Sequence, residues 1–272
     1  MTIKDVREII QNLKDLPAMP NVVVIALEVI KNPNSSAKQL AHTIENDHAI
    51  TSSILKIVNS SYFGLANQVT SIDKAITLLG FGEIKNTILS FAMKPMISTQ
   101  GGKNIWEHSL KTAIASELLA KKLGKENSDE CFALGLLHDM GKLVFMLYNP
   151  SAAAEVTKMV NRGVDIFLAE RMAFGFDHTI AGYELAAHWR LPKIIQQAMK
   201  YHHRPQMSEQ PENIGIVYFA NQLVKDSFTK PYFDIDITSK LHMTIQNPEE
   251  IREEILEKAD LLLKIIEKAE MT

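Results

Sequence analysis

The apolar residues Val22, Ile25, Ala26, Val29 and Ile30 fall at i, i+3, i+4, i+7 and i+8, the spacing of one face of an α-helix. That period returns along nearly the whole chain and limits the fold more than any other feature. Strand-like alternation is scarce. Only "YFDIDITS" (232–239) offers it, and the same residues read equally well as an extended loop. The punctuation is helical too. Pro17 and Pro20 mark the entry to the first stripe, and Ser35 or Ser36 is placed to cap a helix carrying Leu40, Ala41 and Ile44. Gly80 closes "SIDKAITLLG". The expected fold is all-α, with about a dozen helices joined by short turns.

A length of 272 residues with 46% apolar content is enough to fill a substantial core. The net charge of −3 and the scattered lysines give no basic stripe, so neither nucleic acid nor an anionic membrane is an expected partner. The densest pair, Lys121 and Lys122, reads as a solvated helix end. Cys131 is the single cysteine, which excludes an intramolecular disulfide, suits a reducing cytoplasm and reads as a small buried group. The opening "MTIKDVREIIQNLKDL" is amphipathic and charged, resembling neither a signal peptide nor an anchor. No uninterrupted apolar run approaches the roughly 18–20 residues that span a bilayer. The expectation is a soluble cytoplasmic protein.

Composition shifts at "ISTQGGKN" (97–104), where Gly101 and Gly102 separate a part poor in titratable clusters from one rich in histidine. The expected division is 1–97, 98–228 and a C-terminal extension, 229–272. In the extension Ile251, Ile255, Ala259, Leu262 and Ile266 share one helical face. That face either docks on the protein's own core or meets a partner or dimer helix.

Residues 135–145, "GLLHDMGKLVF", set His138 and Asp139 inside an apolar run. Burying such a pair costs several kcal/mol unless both groups are satisfied. His108, His178, His202 and His203 stand in similar settings, and imidazoles with a carboxylate are what zinc, iron, manganese or nickel sites use. Lys142 follows Asp139 by three positions and could hold a phosphate oxygen over a metal, although Gly141 intervenes and can bend or end the turn. Other chemistry is thin. Ser60 and Ser109 lack a nucleophile elbow, and Leu143 stands where a phosphate loop needs Ser or Thr. His42 and His48 read as surface residues, and Tyr62, Phe63, Trp106 and Trp189 as core anchors. Trp189 to Pro192 could alternatively line a partner groove.

"HD" followed by Gly-Lys, with a histidine-bearing helix before it and a further His and a paired His-His after it, resembles the HD superfamily of metal-dependent phosphohydrolases. The earlier half narrows the likeness. "LPAMPNVVVIALEVI", "LAHTIENDHAITSSILKIVNSSYFG" and "SIDKAITLLGFGEIKNTIL" resemble the HDOD family, the HD-related output domain of bacterial signalling proteins, over roughly residues 6–225. Asn59-Ser60 and "AITLLG" are its most telling marks. The resemblance implies a multi-helical HD-like bundle with an added N-terminal helical subdomain, linked to response regulation rather than to proven catalysis.

The binuclear HD phosphodiesterases take ligands from a first-helix His, the HD pair, a later His, a His-His pair and a final Asp. By resemblance His108, His138, Asp139, His178, His202 and His203 match all but the last, where Asn221 stands. Asp226 lies on another helical face, and the Gly-Tyr-Pro extension that accompanies cyclic-di-GMP hydrolysis is missing. One carboxylate compensates two divalent ions poorly. The resemblance therefore implies a signal-transduction module with a degenerate, metal-binding pocket and no robust turnover. The alternative is a metal-dependent phosphohydrolase acting on a nucleotide or phosphoester through Asp139 and Lys142. Expected partners are a signalling protein, a small phosphorylated ligand and, compatibly, a second copy of the chain. The region 16–97 is expected to carry the partner-binding or regulatory role, with "NSSYFG" either part of that role or a structural turn.

Overall fold

A computed structural model describes residues 3–28, 33–97, 102–225 and 247–270, together with Ile237 and Ile245. Among these residues every regular element is helical. The first half contains α1 (Ile3–Asn12), α2 (Asn21–Glu28), α3 (Pro33–Glu45), α4 (His48–Val58), α5 (Ile72–Leu79) and α6 (Phe81–Ile97). Then come α7 (Lys103–Lys122), α8 (Ser128–Leu137), α9 (Gly141–Tyr148), α10 (Pro150–Asn161), α11 (Ile166–Phe174), α12 (His178–His188) and α13 (Lys193–Tyr201). A 3-10 turn over Pro205–Met207 leads to α14 (Pro211–Leu223), and α15 (Pro248–Glu270) is the last described helix. The all-α expectation holds. The segment 232–239 lies outside the described residues apart from Ile237, as do Asp226, Val29, Ile30 and residues 98–101 of the 97–104 composition shift.

Several helix starts follow capping chemistry. Asp47 accepts from the backbone N–H of Ala49 and Ile50 at the head of α4, and Ser71 accepts from Lys74 at the head of α5. Gly80, at φ 86°, closes α5 as its sequence position implies. Ser35 and Ser36, however, do not cap α3. That helix already begins at Pro33, whose fixed φ and missing N–H suit a first turn.

A single apolar cluster runs from Val6 in α1 to Ala269 in α15, and a smaller one gathers Leu119, Cys131, Phe219 and Ile255. Trp106 is fully interior, whereas Tyr62, Phe63 and Trp189 are only half-buried against the core. The α15 face of Ile251, Ile255, Ala259, Leu262 and Ile266 is buried, packed on α7 and α4, so it docks on the protein's own core. The stretch Ser128–Tyr148 has a mean hydropathy of 1.3, enough by length and composition to cross a membrane, but it is 78% buried in the bundle. It also breaks at His138–Met140 into α8 and α9. Arg7 of α1 donates to Glu184 of α12 at 2.8 Å, tying the N-terminal helix to the helix that begins with His178.

The "NSSYFG" turn is built on backbone hydrogen bonds. Asn59 donates through Nδ2 to the carbonyls of Leu55 and Val69, both at 2.8 Å, and its Oδ1 accepts from the Val69 N–H at 2.7 Å. The Ser60 hydroxyl donates to the Ile57 carbonyl and accepts from the Tyr62 N–H. Val69 is buried, so Asn59→Ala strands its N–H and C=O and should lower the urea midpoint by the equivalent of about 1–3 kcal/mol. Metal content should stay at the parent level.

Candidate metal centre

Two glycines in "GLLHDMG" set the frame. A Cβ on Gly135 would lie 2.7 Å from the Thr112 carbonyl oxygen, and one on Gly141 would lie 1.9 Å from the His178 carbonyl oxygen. Their missing side chains let the α8–α9 turn approach α7, which carries His108, and α12, which begins with His178. His202 and His203 arrive in the turn after α13, and Asn221 from α14. All the sequence-predicted positions therefore meet around one turn. His138 and Asp139 lie in that turn, not within a continuous helix.

Asp139 is the hub. Its Oδ2 lies 3.4 Å from His138 Nε2 and 3.6 Å from His108 Nε2. Its Oδ1 lies 3.5 Å from His202 Nε2 and 3.6 Å from His178 Nε2. His178 Nε2 is a further 3.3 Å from His202 Nε2 and 3.2 Å from His203 Nε2. Metal–nitrogen bonds of about 2.1 Å set neighbouring ligand atoms about 3.0–3.4 Å apart in octahedral or tetrahedral geometry, close to these spacings. Two groups of three can each hold an ion, His108–His138–Asp139 and His178–His202–His203.

The imidazoles are fixed in the tautomer that coordination needs. His138 Nδ1 faces the Gly135 carbonyl at 2.7 Å, and His202 Nδ1 faces the carbonyls of Ala198 and Met199. A carbonyl only accepts, so each Nδ1 carries the proton and each Nε2 presents a lone pair to the centre. Neutral nitrogens facing one another at such distances repel unless a cation lies among them. His138 Nε2, Asp139 Oδ1 and Asn221 Oδ1 are buried without a hydrogen-bond partner, so the donor set fits a cation.

Charge states agree. Burial pushes the His108 imidazole down to about 3 and His202 to about 4, with Asp139 offsetting only part of the effect. Burial, with His202 and His178 alongside, holds His203 well below the ordinary histidine range. Burial alone would raise Asp139, but the Lys142 ammonium beside it holds the carboxyl well below the usual carboxylate range. Neutral imidazoles around an ionised carboxylate are the protonation states a divalent ion requires.

Lys142 Nζ donates to Asp139 Oδ2 at 2.5 Å, on the side of His108 and His138. A cavity of about 760 Å³ opens over the cluster, with Lys111, Lys142 and Lys225 at its wall beside Glu107 and Asn221.

One functional residue escapes sequence reasoning. Glu170 of α11 is buried and accepts from the His178 backbone N–H at 2.9 Å and from His178 Nδ1 at 2.7 Å. Its only sequence signal is a lone carboxylate within the apolar "IFLAERMAF". Such carboxylate–histidine pairs orient a ligand and raise its basicity. Glu170→Ala should weaken divalent-ion affinity about 10–100-fold, read by calorimetric titration, while the helical circular dichroism spectrum is retained.

The sequence model of the HDOD domain matches residues 16–205, and the chain belongs to that family. An uncharacterised protein of Treponema pallidum (strain Nichols) is 25% identical over 261 residues, which cover 92% of this chain and 50% of that protein. The chain thus spans half the length of that curated relative. The crystal structure of an HDOD domain protein of unknown function from Geobacter sulfurreducens superposes with a TM-score of 0.81 at 22% identity, covering 97% of each chain. A candidate phosphohydrolase from Shewanella amazonensis SB2B superposes at 0.74 and 22% identity, covering 95% of this chain and 97% of its own. These likenesses are of fold.

Proposed function

We propose that this HDOD chain is a signal-transduction module whose HD pocket binds a divalent transition metal and a small phosphorylated ligand without robust turnover. One observation carries the reading: four imidazoles face a single carboxylate, Asp139, with His203 beside them, and Asn221, which by resemblance stands in the place of a second carboxylate, lies at the cavity wall. When bound, the metal supplies positive charge that polarises a phosphoryl oxygen. His178, His202 and His203, with Asp139 Oδ1, form the tighter group, because Glu170 backs His178 and Lys142 already neutralises the Oδ2 side. Lys142 orients an anionic oxygen at the mouth of the cavity, and Lys111 and Lys225 add attraction for a phosphate. Asn221 contributes a neutral amide oxygen, so a second ion is held weakly. The half comprising residues 16–97 carries the surface for a signalling protein, and the module works in the cytoplasm.

A second reading, a metal-dependent phosphohydrolase of nucleotides or phosphoesters, draws support from the retained cluster and from Lys142 beside Asp139. Metal analysis of the purified protein, paired with a phosphodiesterase assay in manganese or iron, separates the two. Near one ion per chain with negligible turnover supports the module. Two ions and sustained turnover support the hydrolase, and absence of bound metal defeats both.

A further inference from the structure

Beside the polar cavity lies a second, of about 390 Å³, walled by α7, α9, α10 and α11. The two share Asn104, Lys142, Val160, Asn161 and Ile166 in their walls, so they adjoin at those residues and have unlike linings. One end holds the imidazoles, Asp139 and three lysines. The other is lined mostly by apolar residues, Ile105, Phe145, Met146, Val156 and Ile166 among them, with Glu170, already engaged by His178, also at its wall. Ile105, Met146 and Ile166 are only half-buried, so their apolar surface still meets solvent and loses that contact when an apolar group enters. Phe145 is held firm by its stack on Phe174, with centroids 4.2 Å apart and planes at 13°. Lys142 stands where the ends join, its ammonium on Asp139 and its residue lining both cavities, as an amphipathic side chain suits.

From this junction we infer that the pocket selects a phosphomonoester whose organic group is apolar, an alkyl or aryl phosphate, with the phosphate toward Lys142 and the organic group against Met146 and Phe145. The inference rests on the phosphate-binding reading above and adds the identity of the other half of the ligand. A charged head in the lysine-lined end places its substituent at the apolar end, where an alkyl or aryl group releases water and a polar one does not.

The test uses non-hydrolysable phosphonates titrated into the full chain by calorimetry, with Mn²⁺ present throughout. Methylphosphonate reports the polar end alone, while phenylphosphonate and hexylphosphonate report both ends and distinguish aryl from alkyl preference. At least one of the two should bind about tenfold or more tighter than methylphosphonate. Met146→Ser should remove that gain and leave methylphosphonate affinity unchanged. Ala154→Phe, at an exposed position on the same wall, should block the apolar end without touching the core and give the same result. Methylphosphonate binding with no gain for either larger probe overturns the inference and leaves phosphate binding standing. No binding of any probe overturns both. Adenosine monophosphate binding tighter than both larger phosphonates also overturns it, since a polar organic group would then be preferred.

Discussion

Gly141→Ala is expected to be the most damaging single methyl in the protein. The new Cβ would lie 1.9 Å from the His178 carbonyl oxygen and 2.6 Å from the Gly182 nitrogen, both backbone atoms of α12 that cannot rotate away. Relief requires α9 and α12 to separate, and the buried contacts of Val144, Ala181 and Leu185 separate with them. Overpacking of this kind costs about 3 kcal/mol or more. The same displacement draws His178 away from Asp139, so divalent-ion binding should fall together with the urea midpoint. Thermal melts with and without Mn²⁺ measure both, and a Gly141→Ala protein with parental stability would contradict the close packing of α9 on α12.

Asp139→Asn should separate metal binding from folding. Asparagine keeps the shape of the side chain and removes the carboxylate that four Nε2 atoms approach. Affinity for Mn²⁺ should drop at least about 100-fold, since a ligand shared by both groups is lost. Without metal the variant should lose some stability, because the folded site favours the ionised carboxyl. That intrinsic loss should be the same with and without Mn²⁺ and so stays separate from the metal-induced rise. It is limited because Lys142, itself partly exposed, can turn to solvent. A ligand at a hundredfold excess over its Kd stabilises the native state by about 2.7 kcal/mol, and that increment should vanish in the variant. Retention of the full metal-induced rise in Tm would show that Asp139 is not the hub.

The helical class and the convergent histidines were legible because both depend on local order along the chain: a 3.6-residue period and the succession His108, His138-Asp139, His178, His202-His203. What a sequence conceals is contact between helices. Gly141 reads as a helix breaker, yet its requirement is the approach of a neighbouring backbone. Glu170 reads as one acid in an apolar run, and it reaches His178 only because Gly175, at φ 81°, turns the chain back after α11. Asn59 and Ser60 read equally well as a recognition motif or a turn, and their hydrogen bonds to Leu55, Ile57 and Val69 give them a structural role. Ser35 and Ser36 carry the right chemistry for a cap, but Pro33 starts the helix first.

The central claim is that the pocket is a working cation site weakened by one missing charge, and Asn221→Asp tests it most directly. Asn221 is buried at the cavity wall, with its Oδ1 lacking a hydrogen-bond partner. Replacing its amide by a near-isosteric carboxylate adds a negative charge close to Asp139, which should lower Tm in the absence of metal. With Mn²⁺ present the variant should recover that loss, gain a larger metal-induced rise than the parent and bind a second ion. A Tm that stays depressed at every Mn²⁺ concentration, with no added ion bound, would contradict the claim and leave the imidazoles as hydrogen-bonding core.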